Sequence, residues 1–320
     1  MPERAGGSAT SANAATRAPH PRLSLNQATI KYATLEEALG AASHVGIPSI
    51  GLWREPVAAV GLSEAVRRVA DSGLRVSSLC RGGFFTAADG PERLAALDDN
   101  RRAIEETAEL AGAAAPGSAA VLVLVAGGLP PGSRDLTGAR ERVCDAIARL
   151  EPDARAAGVT LAIEPLHPMF AADRAVVSSL GQALDIAEQF AATTVGVMID
   201  TFHVWWDPRV YVEIDRAGDG DRIAGYQVAD WMTPLPADVL LSRGMMGDGL
   251  IDFAPITDAV ERAGYAGDIE VEIFNQAVWN ADPTAIAHLT AERFESHVAG
   301  ALRTPQGPSS HRSRQYEAGG

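Results

Sequence analysis

Short apolar runs alternate along the chain with longer stretches in which apolar residues recur at helical spacing. Eight apolar runs predict strands, at positions 23–30, 47–53, 74–79, 119–125, 159–163, 195–199, 223–228 and 269–274. The stretches that follow them predict helices at 35–44, 62–72, 91–113, 133–157, 180–190, 253–263 and 283–302, with one of unclear bounds before 223. Glycines that suit helix C-caps stand just before four of the strands, at Gly46, Gly73, Gly158 and Gly264.

Eight strand-then-helix units in one domain predict an α/β fold, a single-domain (β/α)8 TIM barrel. A doubly wound open sheet is the alternative, but the chain has no GxGxxG or Walker A loop to support it. Residues 1–21 and 304–320 lack apolar periodicity and predict a disordered N-terminal extension and a disordered C-terminal tail. The barrel is expected to occupy residues 22–303.

The formal net charge of -14 argues against nucleic acid as a partner, because phosphates need a basic surface. The longest apolar run, residues 119–126, is too short to span a bilayer, so no membrane partner is expected. Cys80 and Cys144 show no metal-type spacing and suggest no disulfide framework. These features predict a soluble protein of the cytoplasm.

Polar residues follow apolar runs at the ends of the last four predicted strands. They are Glu164, Asp200, Gln227 and Glu272. The active sites of TIM barrels lie at these strand ends, and period-two alternation lets the four side chains converge. Buried carboxylates need a neutralising cation. We therefore predict one divalent metal ion held by all four; an oxygen ligand set favours Mn²⁺, with Mg²⁺ or Co²⁺ as alternatives.

Four segments carry a resemblance to a known family: IEPLHP at 163–168, MIDTFHVWWDP at 198–208, RGMMGDGLIDF at 243–253 and IEVEIF at 269–274. With them the chain resembles the xylose-isomerase-like sugar isomerases and epimerases, a superfamily that also includes barrels of the endonuclease IV type. The resemblance implies metal binding by Glu164, Asp200 and Glu272, with the two glutamates also acting as acid and base. It matches His203 to a histidine that orients substrate, and it places Gln227 where the family has a metal-binding histidine.

The chain departs from the pattern of the epimerases at two positions, Gln227 and the ionisable His167. In these departures it resembles more closely the α-subunits of bacterial C-glycoside deglycosidases. That resemblance implies a metal-dependent carbon–carbon lyase of 3-oxo-C-glycosides, which removes a proton next to a carbonyl and pairs with a small β-subunit in a hetero-oligomer. His167 then serves as a general base or a metal ligand, or else as a loop histidine bonded to backbone.

The alternative function is a ketose or sugar-phosphate isomerase or 3-epimerase, and remoter ones are an endonuclease IV-like enzyme or a non-catalytic binding barrel. In each enzymatic case we expect a small sugar or glycoside as substrate. The residues assigned to substrate binding are His203, Trp231, Arg243 and Asn275.

Overall fold

The computed structural model describes residues 18–302. The predicted extensions, 1–21 and 304–320, lie outside the described residues except for 18–21, and the domain bounds stay a prediction. The strands are β1 (Leu23–Asn26), β2 (Ser49–Trp53), β3 (Arg75–Gly83), β4 (Val121–Val125), β5 (Thr160–Glu164), β6 (Val195–Asp200), β7 (Ile223–Val228), β8 (Asp230–Trp231), β9 (Arg243–Gly244) and β10 (Ile269–Val271). Eight of them form a closed parallel barrel in the order β1-β2-β3-β4-β5-β6-β7-β10, and β8 and β9 form a separate hairpin. The predicted TIM barrel is confirmed.

Helices surround the barrel and follow its strands. They are α1 (Leu35–Val45), α2 (Arg54–Val60), α3 (Leu62–Ser72), α4 (Pro91–Ala113), α5 (Leu136–Ala157), α6 (Leu180–Ala187), α7 (Thr201–Val204), α8 (Val210–Asp219), α9 (Phe253–Arg262), α10 (Gln276–Trp279) and α11 (Pro283–His297). Short 3-10 turns occupy Gln27–Ile30, Pro168–Phe170, Val239–Leu241 and Ala299–Ala301. Among residues 18–302, no helix combines the length and the apolar character needed to cross a membrane.

The ends of the helices follow local capping chemistry. Thr34 begins α1 with a capping box, because its side chain accepts the Glu37 N–H while the Glu37 carboxylate accepts the Thr34 N–H. The predicted C-cap glycines are confirmed at Gly46, Gly73 and Gly158, which end α1, α3 and α5 in the left-handed conformation.

Several predicted ends of strands and helices were wrong, because a turn of the backbone interrupts a continuous run of buried residues. The first strand ends at Asn26, because its side-chain oxygen accepts the Ala28 N–H and starts the 3-10 turn. The last barrel strand ends at Val271 rather than at residue 274. The helix α2 was not predicted, and the unclear stretch after β6 contains both α7 and α8.

The buried apolar residues of the barrel form two clusters, and polar groups lie at one end of the barrel. On β4, Leu122 and Leu124 pack in the large core that includes the surrounding helices. The alternate positions of β4 contribute to a small second cluster, formed by Cys80, Val121, Val123, Ala162 and Met198. Because strand side chains alternate between faces, we assign this cluster to the barrel interior. The polar groups described next lie beyond it, at the carboxyl ends of the strands.

Candidate active site

Four polar side chains lie at the carboxyl ends of neighbouring strands. Glu164 ends β5, Asp200 ends β6, Gln227 lies in β7, and Glu272 directly follows β10. Each is at most 5% exposed. The structure therefore places the four predicted metal ligands at the ends of adjacent strands, and their role as ligands stays a prediction.

The guanidinium of Arg243 reaches into this group from β9. Its Nη1 donates to Asp200 Oδ2 at 2.8 Å, to Glu272 Oε2 at 2.7 Å and to the Glu272 carbonyl oxygen at 3.1 Å. The rings of Phe202 and Phe274 lie 4.9 and 5.0 Å from its Cζ. Arg243 was predicted to bind substrate; in the structure its charge already compensates two buried carboxylates.

Asp230 organises the loop that carries this arginine. Its Oδ1 accepts the N–H groups of Trp231 and Ile251, and its Oδ2 accepts those of Gly247 and Gly249, all at 2.8–2.9 Å. A carboxylate that accepts four backbone N–H groups fixes the path of the chain around it. The β8–β9 hairpin is thereby held at its base, and sequence analysis did not foresee it, because two-residue strands have no detectable periodicity.

His203 lies between two hydrogen-bond donors. Its Nδ1 accepts the His167 backbone N–H at 3.1 Å, and its Nε2 lies 2.9 Å from Arg243 Nη2. Burial and the nearby Arg243 charge lower the pKa of His203 well below its usual range, so the ring is neutral. A neutral imidazole has one nitrogen lone pair for acceptance. With Arg243 in this position, the ring can therefore accept a hydrogen bond from only one of the two donors, the His167 N–H or Arg243 Nη2.

Glu270 is a fifth polar residue of the group, and its place among these side chains was not predicted. Its Oε2 accepts from Gln227 Nε2 at 3.0 Å and from Asn26 Nδ2 at 2.8 Å. The Gln227 amide is thus oriented with its nitrogen toward Glu270, and within residues 18–302 its Oε1 has no hydrogen-bond partner. The sequence held a signal for Glu270, because residues two apart on a strand share a face and Glu272 was already assigned.

Burial and mutual repulsion raise the pKa values of the carboxyl groups. Burial raises the pKa of Glu164 well above its usual range, and the charges of Glu272 and Asp200 act in the same direction. Burial likewise raises the pKa of Asp200, although Arg243 opposes the change. For Glu272, burial raises the pKa to about 7 despite the lowering effect of Arg243. Full ionisation of the three carboxyl groups would therefore place more negative charge in the site than Arg243 compensates.

The donor set fits a divalent cation. Ligand atoms of Glu164, Asp200 and His203 lie within 4.8 Å of one another. Glu164 Oε1, like Gln227 Oε1, is buried without a hydrogen-bond partner in the described part of the chain. Unpartnered buried oxygens beside acids of raised pKa are what a hard cation with oxygen ligands would satisfy.

A cavity of about 490 Å³ opens at this end of the barrel. Glu164, His203, Arg243 and Glu272 contribute to its lining. His167, Trp231 and Asn275, which were predicted as catalytic or substrate-binding, are not among the described residues that line it.

His167, Trp231 and Asn275 occupy supporting positions around the cavity. The half-buried His167 ring accepts the Met169 N–H through Nδ1 and lies 4.8 Å from the Trp231 ring, and burial lowers its pKa. Trp231 stacks on Phe202 at 4.9 Å. Asn275 donates to the Arg243 carbonyl oxygen at 3.0 Å. Their roles in catalysis or substrate binding stay predictions.

The fold agrees with the family whose sequence model the chain matches. The sequence model for the xylose isomerase-like TIM barrel matches residues 39–295, and the chain belongs to this family. A protein of Sinorhizobium meliloti 1021 with a solved crystal structure is similar, with 48% identity, a TM-score of 0.81, and coverage of 86% of this chain and 98% of that one.

Two further proteins are similar to this chain. The L-ribulose 3-epimerase of Mesorhizobium japonicum is 26% identical over 250 residues, which are 76% of this chain and 77% of the epimerase. The IOLI protein, crystallised with a zinc atom, shares the fold at 19% identity, with a TM-score of 0.75 and coverage of 88% of this chain and 100% of that one.

Proposed function

We propose that this chain is a divalent-metal-dependent sugar isomerase or epimerase that moves a proton on a carbon next to a ketose carbonyl. The observation that carries the proposal is the pair Glu164 and Glu272, which both line the cavity and both have raised pKa values. General acid–base catalysis works best when the catalytic pKa lies near the operating pH. The similarity to an L-ribulose 3-epimerase supports the same class of reaction.

The two glutamates supply the proton transfers. One takes the proton α to the carbonyl as its carboxylate, and the other donates a proton from its acid form. Donation on the opposite face of the same carbon gives an epimer, whereas delivery to the neighbouring carbon gives an isomer. Arg243 lines the cavity beside Glu272, where its guanidinium would hold a substrate oxygen and offset the charge of the enolate.

The cation would be held by the oxygens of Glu164, Asp200 and Glu272, with Gln227 Oε1 as a neutral fourth donor. When bound, a divalent metal polarises the substrate carbonyl and stabilises the enolate. Gln227 Nε2 already donates to Glu270. That hydrogen bond orients the amide, so Gln227 would coordinate through its oxygen alone.

The comparisons support an isomerase or epimerase better than the C–C lyase that the closer resemblance implied. The lyase needs its own acid or base at the aglycone, and His167 was predicted to supply it. His167 caps the turn Pro168–Phe170, with its ring against Trp206 and Trp231 at 5.4 and 4.8 Å, and its role as that acid or base stays a prediction. The small β-subunit, the absence of nucleic-acid binding and a cytoplasmic location remain predictions.

Solvent deuterium exchange on a small panel of ketoses tests the proposal. The Mn²⁺-loaded protein is incubated in D₂O with L-ribulose, D-fructose and D-fructose 6-phosphate, and proton NMR follows the carbons next to each carbonyl. We expect exchange at one such carbon, and a loss of about 10²–10⁴-fold in Glu164→Gln and in Glu272→Gln. Glu109→Gln, an exposed position on α4, is the matched control and should leave the rate unchanged.

Full exchange in both folded active-site variants would overturn the assignment of acid and base. Cleavage of a 3-oxo-C-glycoside by the same preparation, without exchange into any of the three ketoses, would instead favour the lyase.

A further inference from the structure

A buried glutamine of the cavity wall takes no part in the proton transfers described above. Gln27 directly follows the last residue of β1, and it contributes to the lining of the cavity although it is only 1% exposed. A side-chain amide offers two N–H donors and an acceptor oxygen, and buried polar groups normally find partners for them. The partners of Gln27 therefore indicate what this side chain does.

The amide of Gln27 has one satisfied end and one unsatisfied end. Its Oε1 accepts the backbone N–H of Trp53 at 3.1 Å. Because a backbone N–H can only donate, the amide atom that faces it must be the oxygen, and Nε2 is the other end. Nε2 is buried and has no hydrogen-bond partner among residues 18–302. Two N–H bonds of a neutral amide are thus left without an acceptor.

The 3-10 turn that begins with Gln27 is anchored beside Glu272. Thr29, within this turn, donates through Oγ1 to the Val271 carbonyl oxygen at 2.8 Å and accepts the Ile273 N–H at 2.9 Å. Val271 and Ile273 are the two neighbours of Glu272 in the chain. The turn is therefore tied to the backbone on both sides of a residue that we assign to proton transfer.

The unpartnered donor of Gln27 needs a different ligand from the unpartnered acceptor of Glu164. Glu164 Oε1 is an oxygen, which a cation satisfies, whereas Gln27 Nε2 is a nitrogen donor, which requires an acceptor. Both residues line the same cavity. A sugar offers acceptors of two kinds, its carbonyl oxygen and its hydroxyl oxygens, and a hydroxyl oxygen accepts through two lone pairs.

We propose that Gln27 is a specificity-determining residue, which donates a hydrogen bond from Nε2 to a hydroxyl oxygen of the sugar. The inference rests on the proposed function, since that function assigns the carbonyl oxygen of the substrate to the metal and leaves the hydroxyl groups for donors of the chain itself. An analogue that lacks this hydroxyl would leave the amide donor buried and unpaired. Sites built to bind a hydroxyl discriminate against such analogues for this reason.

The amide of Gln27 can be observed directly and without turnover. The chain has seven glutamines, so ¹⁵N labelling of glutamine side chains gives few NH₂ signals. The pair that is missing from Gln27→Glu, a variant that keeps an oxygen for the Trp53 N–H, belongs to Gln27. The Mg²⁺-loaded protein, which avoids the paramagnetic broadening of Mn²⁺, is titrated with L-ribulose, D-fructose and D-fructose 6-phosphate. We expect the Gln27 protons to move downfield with the ketose that binds most tightly.

Monodeoxy analogues of that ketose give the second measurement. The wild type should bind one of them about tenfold more weakly than the parent sugar, the value of one lost hydrogen bond. Gln27→Met should bind the parent sugar about tenfold more weakly than the wild type does, and should no longer distinguish the parent from that analogue. Gln189→Met, which changes an exposed glutamine outside the cavity, is the matched control and should bind like the wild type.

The deoxy series separates a hydrogen bond to the sugar from a merely structural role. A side chain that only supports Trp53 would, when replaced, weaken the parent sugar and all its analogues by the same factor. That result would overturn the inference, as would a titration in which no ketose moves the Gln27 pair.

The two proposals fail in different ways. If ketoses bind and move the Gln27 pair but none exchanges its proton, the proposed function is wrong and the hydrogen bond from Gln27 stands. If a ketose exchanges its proton while the wild type and Gln27→Met discriminate equally among the deoxy analogues, the inference is overturned and the proposed function stands.

Discussion

Metal-free protein with Glu272→Gln should gain stability relative to the wild type as the pH rises from about 5.5 to about 8. Burial raises the pKa of Glu272 from its ordinary 4.5 to about 7 in the fold, so the native state keeps this proton to a higher pH than the unfolded chain does. The stability that this group contributes is complete below its unfolded pKa and is lost as the pH rises through about 7. Glutamine has no proton to lose and still offers Arg243 an acceptor oxygen.

The magnitude follows from the two pKa values. At about 1.4 kcal/mol per unit, a carboxyl group that titrates near 4.5 when unfolded and near 7 when folded loses about 2 kcal/mol between pH ~5.5 and ~8. His203 acts in the opposite direction, because its folded pKa is lowered and its contribution grows as the pH rises toward the ordinary value of 6.5. Both proteins contain His203, so its effect cancels in their difference.

The assay is urea denaturation of both proteins in a chelating buffer at several pH values within this range. The free energy of unfolding of Glu272→Gln minus that of the wild type should rise by about 2 kcal/mol across the range. Glu109→Gln should show no such trend. A difference that stays constant, or that moves in favour of the wild type, would refute the reasoning that burial holds this carboxyl protonated near neutrality.

Two further substitutions test charge compensation and backbone geometry. Arg243→Met should lower the free energy of unfolding of the metal-free protein by about 3–5 kcal/mol at neutral pH, because it leaves two buried carboxylates uncompensated. The control is Arg293→Met, which breaks the partly exposed ion pair with Asp248 and should lower the free energy of unfolding by less than about 1 kcal/mol. Urea denaturation of the two variants measures both losses, and equal losses would contradict the special position of Arg243. Gly83→Ala should yield no soluble protein that melts cooperatively, because Gly83 has a φ of 110° and a Cβ there would overlap the Val125 carbonyl. The control is Gly40→Ala in α1, where a Cβ would have nothing within 4 Å; it should raise the free energy of unfolding by about 0.5–1 kcal/mol. A Gly83→Ala protein that melts like the wild type would show that this geometry is not required.

The alternation of strand and helix could be predicted from the sequence because each unit has its own periodicity. The ends of β5 and β6 could be predicted for the same reason, because each apolar strand stops at a carboxylate, Glu164 or Asp200. The bounds of β1 could not be predicted as well, since Gln27–Ile30 is as buried as the strand before it. Burial without alternation does not distinguish a strand from a 3-10 turn.

The contacts of the candidate site depend on closure of the barrel and of the β8–β9 hairpin. Arg243 could be named as a substrate-binding residue, but its hydrogen bonds to Asp200 and Glu272 join positions that are 43 and 29 residues apart. No local pattern encodes such distances.

The loop after β8 separates a rigid base from an exposed tip. Residues 233–238 are exposed, whereas the Asp230 carboxylate and the pairing of Trp231 with Arg243 hold the two ends of the loop together. The tip is therefore a permissive site for protein engineering. A peptide tag or a small inserted domain there would leave the backbone of β9 in place, because solvent-exposed tips tolerate insertions when their flanks are hydrogen-bonded. The length of this loop is free to vary while the position of the arginine beside the carboxylates is preserved.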